Sequence, residues 1–149
     1  MELKKAMLEL LRQASTDLSP DVEKAIRQAY SGEDEGTSAK SVFGTIIENI
    51  ELAMNASTTL CQDTGSIICY VDYPAGGEEK VYREALEWAA EEATKLQYLR
   101  PNAVDSVTGK NSGNNIGLNA PYIHFHQWDK QEVRVRVMLK GGGSENVGI

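Results

Sequence analysis

Residues 66–74, SIICYVDYP, form an apolar and β-branched run that is typical of a buried strand. Pro74 ends the run, because proline cannot donate a hydrogen bond to a sheet and is confined to strand ends and edges. Cys69 lies inside this run, and we interpret it as a small buried side chain. A strand of this kind predicts a sheet at the centre of the fold.

Two further strands are predicted, YIHFHQW at 122–128 and VRVRVML at 133–139, around a turn at Asp129 and Lys130. In the second of them, valine and leucine alternate with arginine and methionine, which is the pattern of a half-buried strand. We expect these two strands to form a hairpin that joins residues 66–74 in a small mixed sheet.

Four helices are predicted from apolar spacing and from start and stop signals. They cover residues 2–14, 20–30, 38–56 and 78–98. The third carries an apolar stripe, for which we expect packing in the core. The stripe consists of Phe43, Ile46, Ile47, Ile50, Ala53 and Met54. These elements predict an α/β fold, with α+β as the alternative: N-terminal helices followed by a small mixed sheet packed on the long fourth helix. A length of 149 residues predicts one domain.

The formal net charge of −7 makes nucleic acid and anionic membrane surfaces poor partners. No stretch approaches the ~18 apolar residues of a membrane span, and charged residues interrupt the N-terminal segment where a signal peptide would be apolar. We therefore expect a cytoplasmic protein with neither kind of partner. Cys61 and Cys69 are too few for a disulfide framework, and their C-x7-C spacing matches no common zinc or ferredoxin pattern.

Three segments without regular periodicity each follow a helix or a strand. They are LCQDTGS at 60–66, an Asn-, Gly- and Ser-rich segment at 100–121, and KGGGSEN at 140–146. A loop as long as the second is uncommon in a compact domain and is usually functional or disordered. Its place between well-defined elements favours function, and the glycine turn of the third presents backbone N–H groups suited to an anion.

Several specific sites are disfavoured by the residues themselves. A phosphate-binding P-loop is excluded because Val104 and Asn111 stand where that motif requires Gly and Ser or Thr. His124 and His126 share a strand face, but zinc needs further ligands, so a solvated or hydrogen-bonded face is preferred. Cys61 as a protein nucleophile would need a histidine base within reach, and the sequence indicates none.

The three loops together offer the thiolate of Cys61, the carboxylate of Asp63, the guanidinium of Arg100 and a glycine turn. A guanidinium grips a carboxylate in two places. A thiolate suits iron–sulfur ligation, and a carboxylate beside a metal centre suits a general base. This combination fits lyase chemistry on a small dicarboxylic acid.

The motifs LCQDTG, RPNAVD, TGKNSG, Pro-x-Ile-His-Phe and KGGGSEN, in this order and spacing, resemble the iron–sulfur, class I fumarate hydratases. The resemblance is greatest to the alpha subunit of the two-subunit form and extends over essentially the whole chain. Tartrate dehydratase alpha subunits share the CQDTG motif. The resemblance implies reversible hydration of fumarate to L-malate at a [4Fe-4S] cluster held by three cysteines, with the fourth iron acting as a Lewis acid.

The same resemblance implies roles for individual residues. Cys61 corresponds to the first cluster ligand, and Gln62 and Asp63 correspond to residues that face the substrate. Asp63 is the candidate for moving the proton on the C3 side of the substrate. Arg100 corresponds to a clamp on a substrate carboxylate. The glycine turn whose backbone approaches the substrate is formed by Gly141, Gly142 and Gly143.

The other two cluster cysteines of the family, and the substrate residues of its beta-subunit region, have no counterpart in this chain. We therefore expect residues 1–149 to be the N-terminal part of the alpha-subunit domain, incomplete at its C-terminus, with apolar surface left uncovered. Alone it would hold no stable cluster and turn over no substrate. Its partners would be the remaining alpha-subunit half and a beta subunit in an oligomer. A tartrate or mesaconate hydratase subunit and a truncated, non-catalytic binding module remain the alternatives.

Overall fold

The structure, a computed structural model, describes residues 2–61 and 63–143. In this part of the chain there are four helices and three strands, so the mixed α/β class is confirmed. They are α1 (Glu2–Thr16), α2 (Pro20–Gly32), α3 (Ser38–Ala56), β1 (Ser66–Pro74), α4 (Glu79–Lys95), β2 (Tyr122–Trp128) and β3 (Arg134–Lys140). None of the helices described is long and apolar enough to cross a membrane.

The three strands form one mixed sheet in the order β2-β1-β3. β1 pairs in parallel with β2, with Ile68 opposite Tyr122, and antiparallel with β3, with Asp72 opposite Arg134. The expected hairpin between β2 and β3 is therefore wrong, because β1 lies between them. β1 has the most buried side chains of the three strands, and the central position covers both of its edges.

The core lies between one face of this sheet and the helix pair α1 and α4. Ile67, Cys69, Val71 and Tyr73 point into it from β1, at every second residue. α1 contributes Met7 and Leu11, and α4 contributes Ala85, Leu86, Ala89, Ala90 and Ala93. The run of alanines on α4 allows α1 to approach closely.

α4 packs on the sheet as the sequence predicted. The ring of Tyr82 lies 5.7 Å from that of Tyr73 on β1, and the guanidinium of Arg83 lies 5.3 Å from the ring centre of Phe125 on β2. Cys69 is fully buried in this layer, as expected. Burial raises the pKa of its thiol to about 12.

The apolar stripe of α3 is buried only in part. Ile50 and Ala53 are buried, but Ile46 is 37% exposed and Met54 is 43% exposed. The prediction that the stripe packs in the core therefore holds for Ile50 and Ala53 and not for the rest, since Phe43 and Ile47 are only half-buried. α3 packs mainly against α2, where Arg27 and Glu51 form an ion pair at 3.0 Å, and it lies beside the sheet layer rather than on it.

Candidate functional site

The loop that carries Cys61 and Asp63 is anchored where it begins. The backbone N–H of Leu60 donates to the carbonyl of Ser15 at the end of α1, at 2.9 Å. The carbonyl of Leu60 accepts from the side-chain amide of Asn49 on α3, at 3.0 Å. Two helices therefore fix the entry to the loop, and Cys61 follows with an exposed thiol.

Thr64 connects this loop to the segment that begins at Arg100. Its buried hydroxyl oxygen accepts from the backbone N–H of Arg100 at 3.2 Å and from the side-chain amide of Asn102 at 3.0 Å. Thr64 is the neighbour of Asp63 in the chain. The contact therefore holds the carboxylate loop and the arginine segment side by side.

The first loop also lies directly against the end of β3. Gly65 has a φ of +66°, and a Cβ placed on it would lie 1.8 Å from the carbonyl oxygen of Lys140 and 2.6 Å from the backbone nitrogen of Gly141. Only glycine allows this approach. The loop and the glycine turn are in backbone contact as a result.

The glycine turn faces the carboxylate of Asp63. The backbone N–H of Gly143 donates to Oδ2 of Asp63 at 3.1 Å. A Cβ on Gly141 would lie 2.8 Å from the same oxygen, whereas a Cβ on Gly142 would meet no atom of residues 2–61 and 63–143 within 4 Å. The turn therefore orients Asp63.

Arg100 is held through its backbone. Its N–H donates to Thr64, and its carbonyl accepts from the side-chain amide of Asn115 at 2.8 Å. The residue is exposed, and no carboxylate among residues 2–61 and 63–143 pairs with its guanidinium. A guanidinium has the planar fork that can bind a carboxylate through two hydrogen bonds.

The structure brings together most of the residues singled out from the sequence. Asp63, Arg100 and the glycine turn at 141–143 converge through Thr64 and Gly65, and Cys61 begins the same loop. Gln62 lies outside the described residues.

The described residues can supply one cysteine ligand to an iron–sulfur cluster, and no second one. Cys61 is exposed at the start of the loop. Cys69 is buried in the core, on the face of β1 that packs against the helices. Within the described part of the chain, no three His, Cys, Asp or Glu side chains are grouped closely enough to hold a metal ion. This sequence can therefore supply a single thiolate, and a cluster would take its other ligands from elsewhere.

His124 and His126 lie on the outer face of the sheet, opposite the helices. Nδ1 of His126 is 3.0 Å from Oδ1 of Asp72, and His124 stacks on Tyr70 with ring centres 4.9 Å apart. The interpretation as a hydrogen-bonded face is confirmed.

Asp72 is the centre of an ion cluster on this outer face that the sequence analysis missed. Its carboxylate accepts from Nε of Arg134 at 2.8 Å and from Nη2 of Arg136 at 3.3 Å. The Arg134 hydrogen bond, followed by that of His126, holds the pKa of Asp72 below its ordinary value against the opposing effect of desolvation. The alternation of β3 indicates only that the two arginines lie on its solvated face, and it does not reveal their shared partner on β1.

The irregular segment at 100–121 is ordered by asparagines. Asn111 donates to the carbonyl of Pro101 at 2.6 Å, and Asn114 accepts from the N–H of Ile116 at 3.1 Å, so both shape the loop. Thr64, Asn102 and Asn115 were missed as site residues. The only signal for them was the abundance of Asn in the segment at 100–121, which does not reveal partners far along the chain.

A cavity of about 310 Å³ lies under the irregular segment. Its lining includes Gly65, Asn102, Lys110 and Tyr122. It shares Gly65 and Asn102 with the site, but Asp63 and Arg100 do not line it. The substrate residues suggested by the sequence therefore belong to the surface beside this cavity rather than to its interior.

Comparison with known proteins relates this chain to fumarate hydratases. The sequence model of the family described as fumarate hydratase (fumerase) matches residues 4–149. A protein of Geobacillus stearothermophilus with the provisional name fumarate hydratase class I is 42% identical over 148 residues, which cover 99% of this chain and 29% of that protein.

Tartrate dehydratases are also similar. A protein of Methanocaldococcus jannaschii, provisionally named L(+)-tartrate dehydratase subunit alpha, is 34% identical over 99% of this chain and 53% of its own length. The L(+)-tartrate dehydratase subunit alpha of Escherichia coli K12 is 31% identical over 87% of this chain and 43% of its own length. The chain thus spans between about a third and a half of the relatives it matches.

Proposed function

Because this chain belongs to the fumarate hydratase family, we propose that it forms part of a hydro-lyase that interconverts fumarate and L-malate. The observation that carries the proposal is that Thr64 and Gly65 bring together the loop of Asp63, the backbone at Arg100 and the glycine turn. The resemblance to fumarate hydratases drawn from the motifs is confirmed by the family match.

In this proposal each residue of the surface has its own task. The guanidinium of Arg100, which pairs with no carboxylate of the described residues, binds one substrate carboxylate through two parallel hydrogen bonds. Asp63, oriented by the N–H of Gly143, takes or returns the proton on the C3 side of the substrate. The glycine turn at 141–143 lets the substrate approach its backbone, because these residues carry no side chains.

Cys61 is proposed as one thiolate ligand of a [4Fe-4S] cluster, because its thiol is exposed in the loop that also carries Asp63. The chemistry that such a cluster supplies when bound is Lewis acidity at an iron that has no protein ligand. The remaining ligands would come from another part of the hydratase. Two relatives are named alpha subunits, which supports a beta subunit as a partner.

A second candidate substrate is L-tartrate, favoured by the same two relatives. Tartrate carries a carboxylate at each end, as malate does, so Arg100 would bind either acid in the same way. Side-by-side turnover of fumarate and L-tartrate by the assembled enzyme would distinguish the two.

The cluster proposal is tested by anaerobic reconstitution of the assembled enzyme and analysis of iron and acid-labile sulfide. Cys61→Ser is expected to reduce both contents and abolish turnover. Cys69→Ala is the matched control and should retain them, because Cys69 is buried in the core. Full iron and sulfide in the Cys61→Ser enzyme would overturn the assignment of Cys61.

A further inference from the structure

Asn115 lies in the irregular segment, yet its side chain is buried and only 4% of the residue is exposed. Its backbone adopts a φ of +61°, a left-handed conformation that asparagine tolerates better than most residues. The amide makes four hydrogen bonds, which fills its donor capacity and the two lone pairs of its oxygen. Because every donor and acceptor position of the amide is used, Asn115 fixes the positions of the groups to which it is hydrogen-bonded.

Three of the four bonds go to the segment that carries Arg100. Oδ1 of Asn115 accepts from the N–H of Asn102 at 2.8 Å and from the N–H of Ala103 at 3.1 Å. Nδ2 donates to the carbonyl of Arg100 at 2.8 Å. One amide therefore fixes both ends of the turn that follows Arg100.

The fourth bond ties this turn to α4. Nδ2 of Asn115 donates to Oγ1 of Thr94 at 2.9 Å, and that hydroxyl donates in turn to the carbonyl of Ala90. Ala90 is fully buried in the core. Asn115 therefore connects the backbone of Arg100 to the core by hydrogen bonds through Thr94.

On its other side the same segment is tied to the carboxylate loop. The N–H of Arg100 and the side chain of Asn102 both donate to Thr64, which follows Asp63. These contacts, together with those of Asn115, fix the backbone from which the side chain of Arg100 extends.

We propose that Asn115 is a positioning residue that sets the placement of Arg100 relative to Asp63. The proposal rests on the proposed function, in which Arg100 binds a substrate carboxylate. Asn115 touches no substrate and acts through the backbone at residues 100–103.

Asn115→Asp tests this with almost no change of shape. The acceptor bonds to Asn102 and Ala103 can persist, but a carboxylate oxygen would face the carbonyl of Arg100 and repel it. In the assembled enzyme we expect KM for fumarate to rise roughly tenfold or more, with a smaller change in kcat, because uniform substrate binding is lost. Thr94→Val removes one of the four bonds and should raise KM in the same direction by less.

Asn114→Asp is the matched control, because Asn114 is the adjacent asparagine and makes a single acceptor bond to Ile116, which aspartate retains. Its KM should stay at the wild-type value. If Asn115→Asp raises KM no more than Asn114→Asp, or lowers kcat only in proportion to the folded fraction, the proposal is wrong while the proposed function stands.

A second measurement does not depend on turnover. In the NMR spectrum of this chain, Asn115→Asp should shift the amide signals of Arg100, Asn102 and Ala103 and leave those of β1 in place. Wild-type positions for all three would overturn the proposal. If the wild-type assembled enzyme acts on neither fumarate nor L-tartrate, the proposed function fails and the KM test fails with it, whereas the spectrum still tests whether Asn115 fixes the backbone at Arg100.

Discussion

Gly65 carries the closest backbone contact of the candidate site. Replacing it with alanine forces a Cβ into the carbonyl of Lys140 at a left-handed φ. We expect Gly65→Ala to reduce the free energy of unfolding by about 3 kcal/mol or more, from overpacking and backbone strain combined. Urea denaturation monitored by circular dichroism measures this change.

Gly76→Ala is the control, because Gly76 also has a positive φ but a Cβ there would meet nothing within 4 Å. Its loss should be only about 1 kcal/mol, from the left-handed backbone alone. Equal losses for the two variants would mean that the contact with Lys140 does not stabilise the fold.

Single residues differ in how far the sequence predicted them. Asp63 and Arg100 were predicted because they stand in compact motifs next to regular elements. Thr64 and Asn115 were not, because their partners are set by the fold. Thr64 bonds to Arg100 from 36 positions away, and Asn115 bonds to Thr94 from 21 positions away. No local pattern encodes such pairs.

At the scale of the elements, the outer face of the sheet makes stability depend on pH. Asp72 has a lowered pKa, so it stabilises the fold above its unfolded pKa of about 3.9. That contribution is lost as the pH falls through the lower, folded value. We expect Asp72→Asn to be less stable than the wild type near neutral pH, with a shallower loss of stability below about pH 4.

Urea midpoints measured from pH 2.5 to pH 7 would show this difference. Asp105 and Asp21 also have lowered pKa values, so the acid-induced loss becomes shallower in the variant but does not vanish. Asp129→Asn, at an exposed position between β2 and β3, should keep the wild-type profile. An unchanged acid slope in Asp72→Asn would contradict the prediction.

The sequence predicted each helix and strand but not how the strands pair. The connection from Trp128 to Arg134 is short, which favoured a hairpin. Five residues also suffice to cross the two strand spacings, about 10 Å, that separate β2 from β3. The order of the strands depends on which strand buries the most apolar surface at the centre of the sheet. That surface depends on the packing of all three strands and the helices on them.

At the scale of the whole molecule, stability depends on the layer between α1, α4 and β1. Leu11 is fully buried there. We expect Leu11→Ala to reduce the free energy of unfolding by about 2–5 kcal/mol, because it removes buried apolar contacts and leaves a cavity. Thermal and urea unfolding both report this loss.

Leu52→Ala on α3 is the comparison, since Leu52 is 67% exposed. Its effect should stay within about 0.5 kcal/mol. A loss at Leu52 as large as that at Leu11 would mean that α3, rather than α1 and α4, covers the core.

The fold class followed from periodicity, because alternation and helical spacing record which side of an element is buried. The partial exposure of α3 did not follow. An apolar stripe shows which face of a helix favours burial. Whether a residue on that face is buried depends on the neighbouring elements, and Ile46 and Met54 stay exposed. The convergence of the three loops likewise came from packing, through contacts at Gly65 and Thr64.

The central position of β1 also determines the order in which this chain can fold as it leaves the ribosome. Asp72 meets His126 from 54 positions away and Arg134 from 62 positions away. α1 and α4 are both synthesised before either partner strand, so they can associate while β1 still has two open edges. An apolar strand in that state is the segment on which nascent chains aggregate or recruit chaperones. We expect SIICYV to be the chaperone-binding segment of this protein during its synthesis.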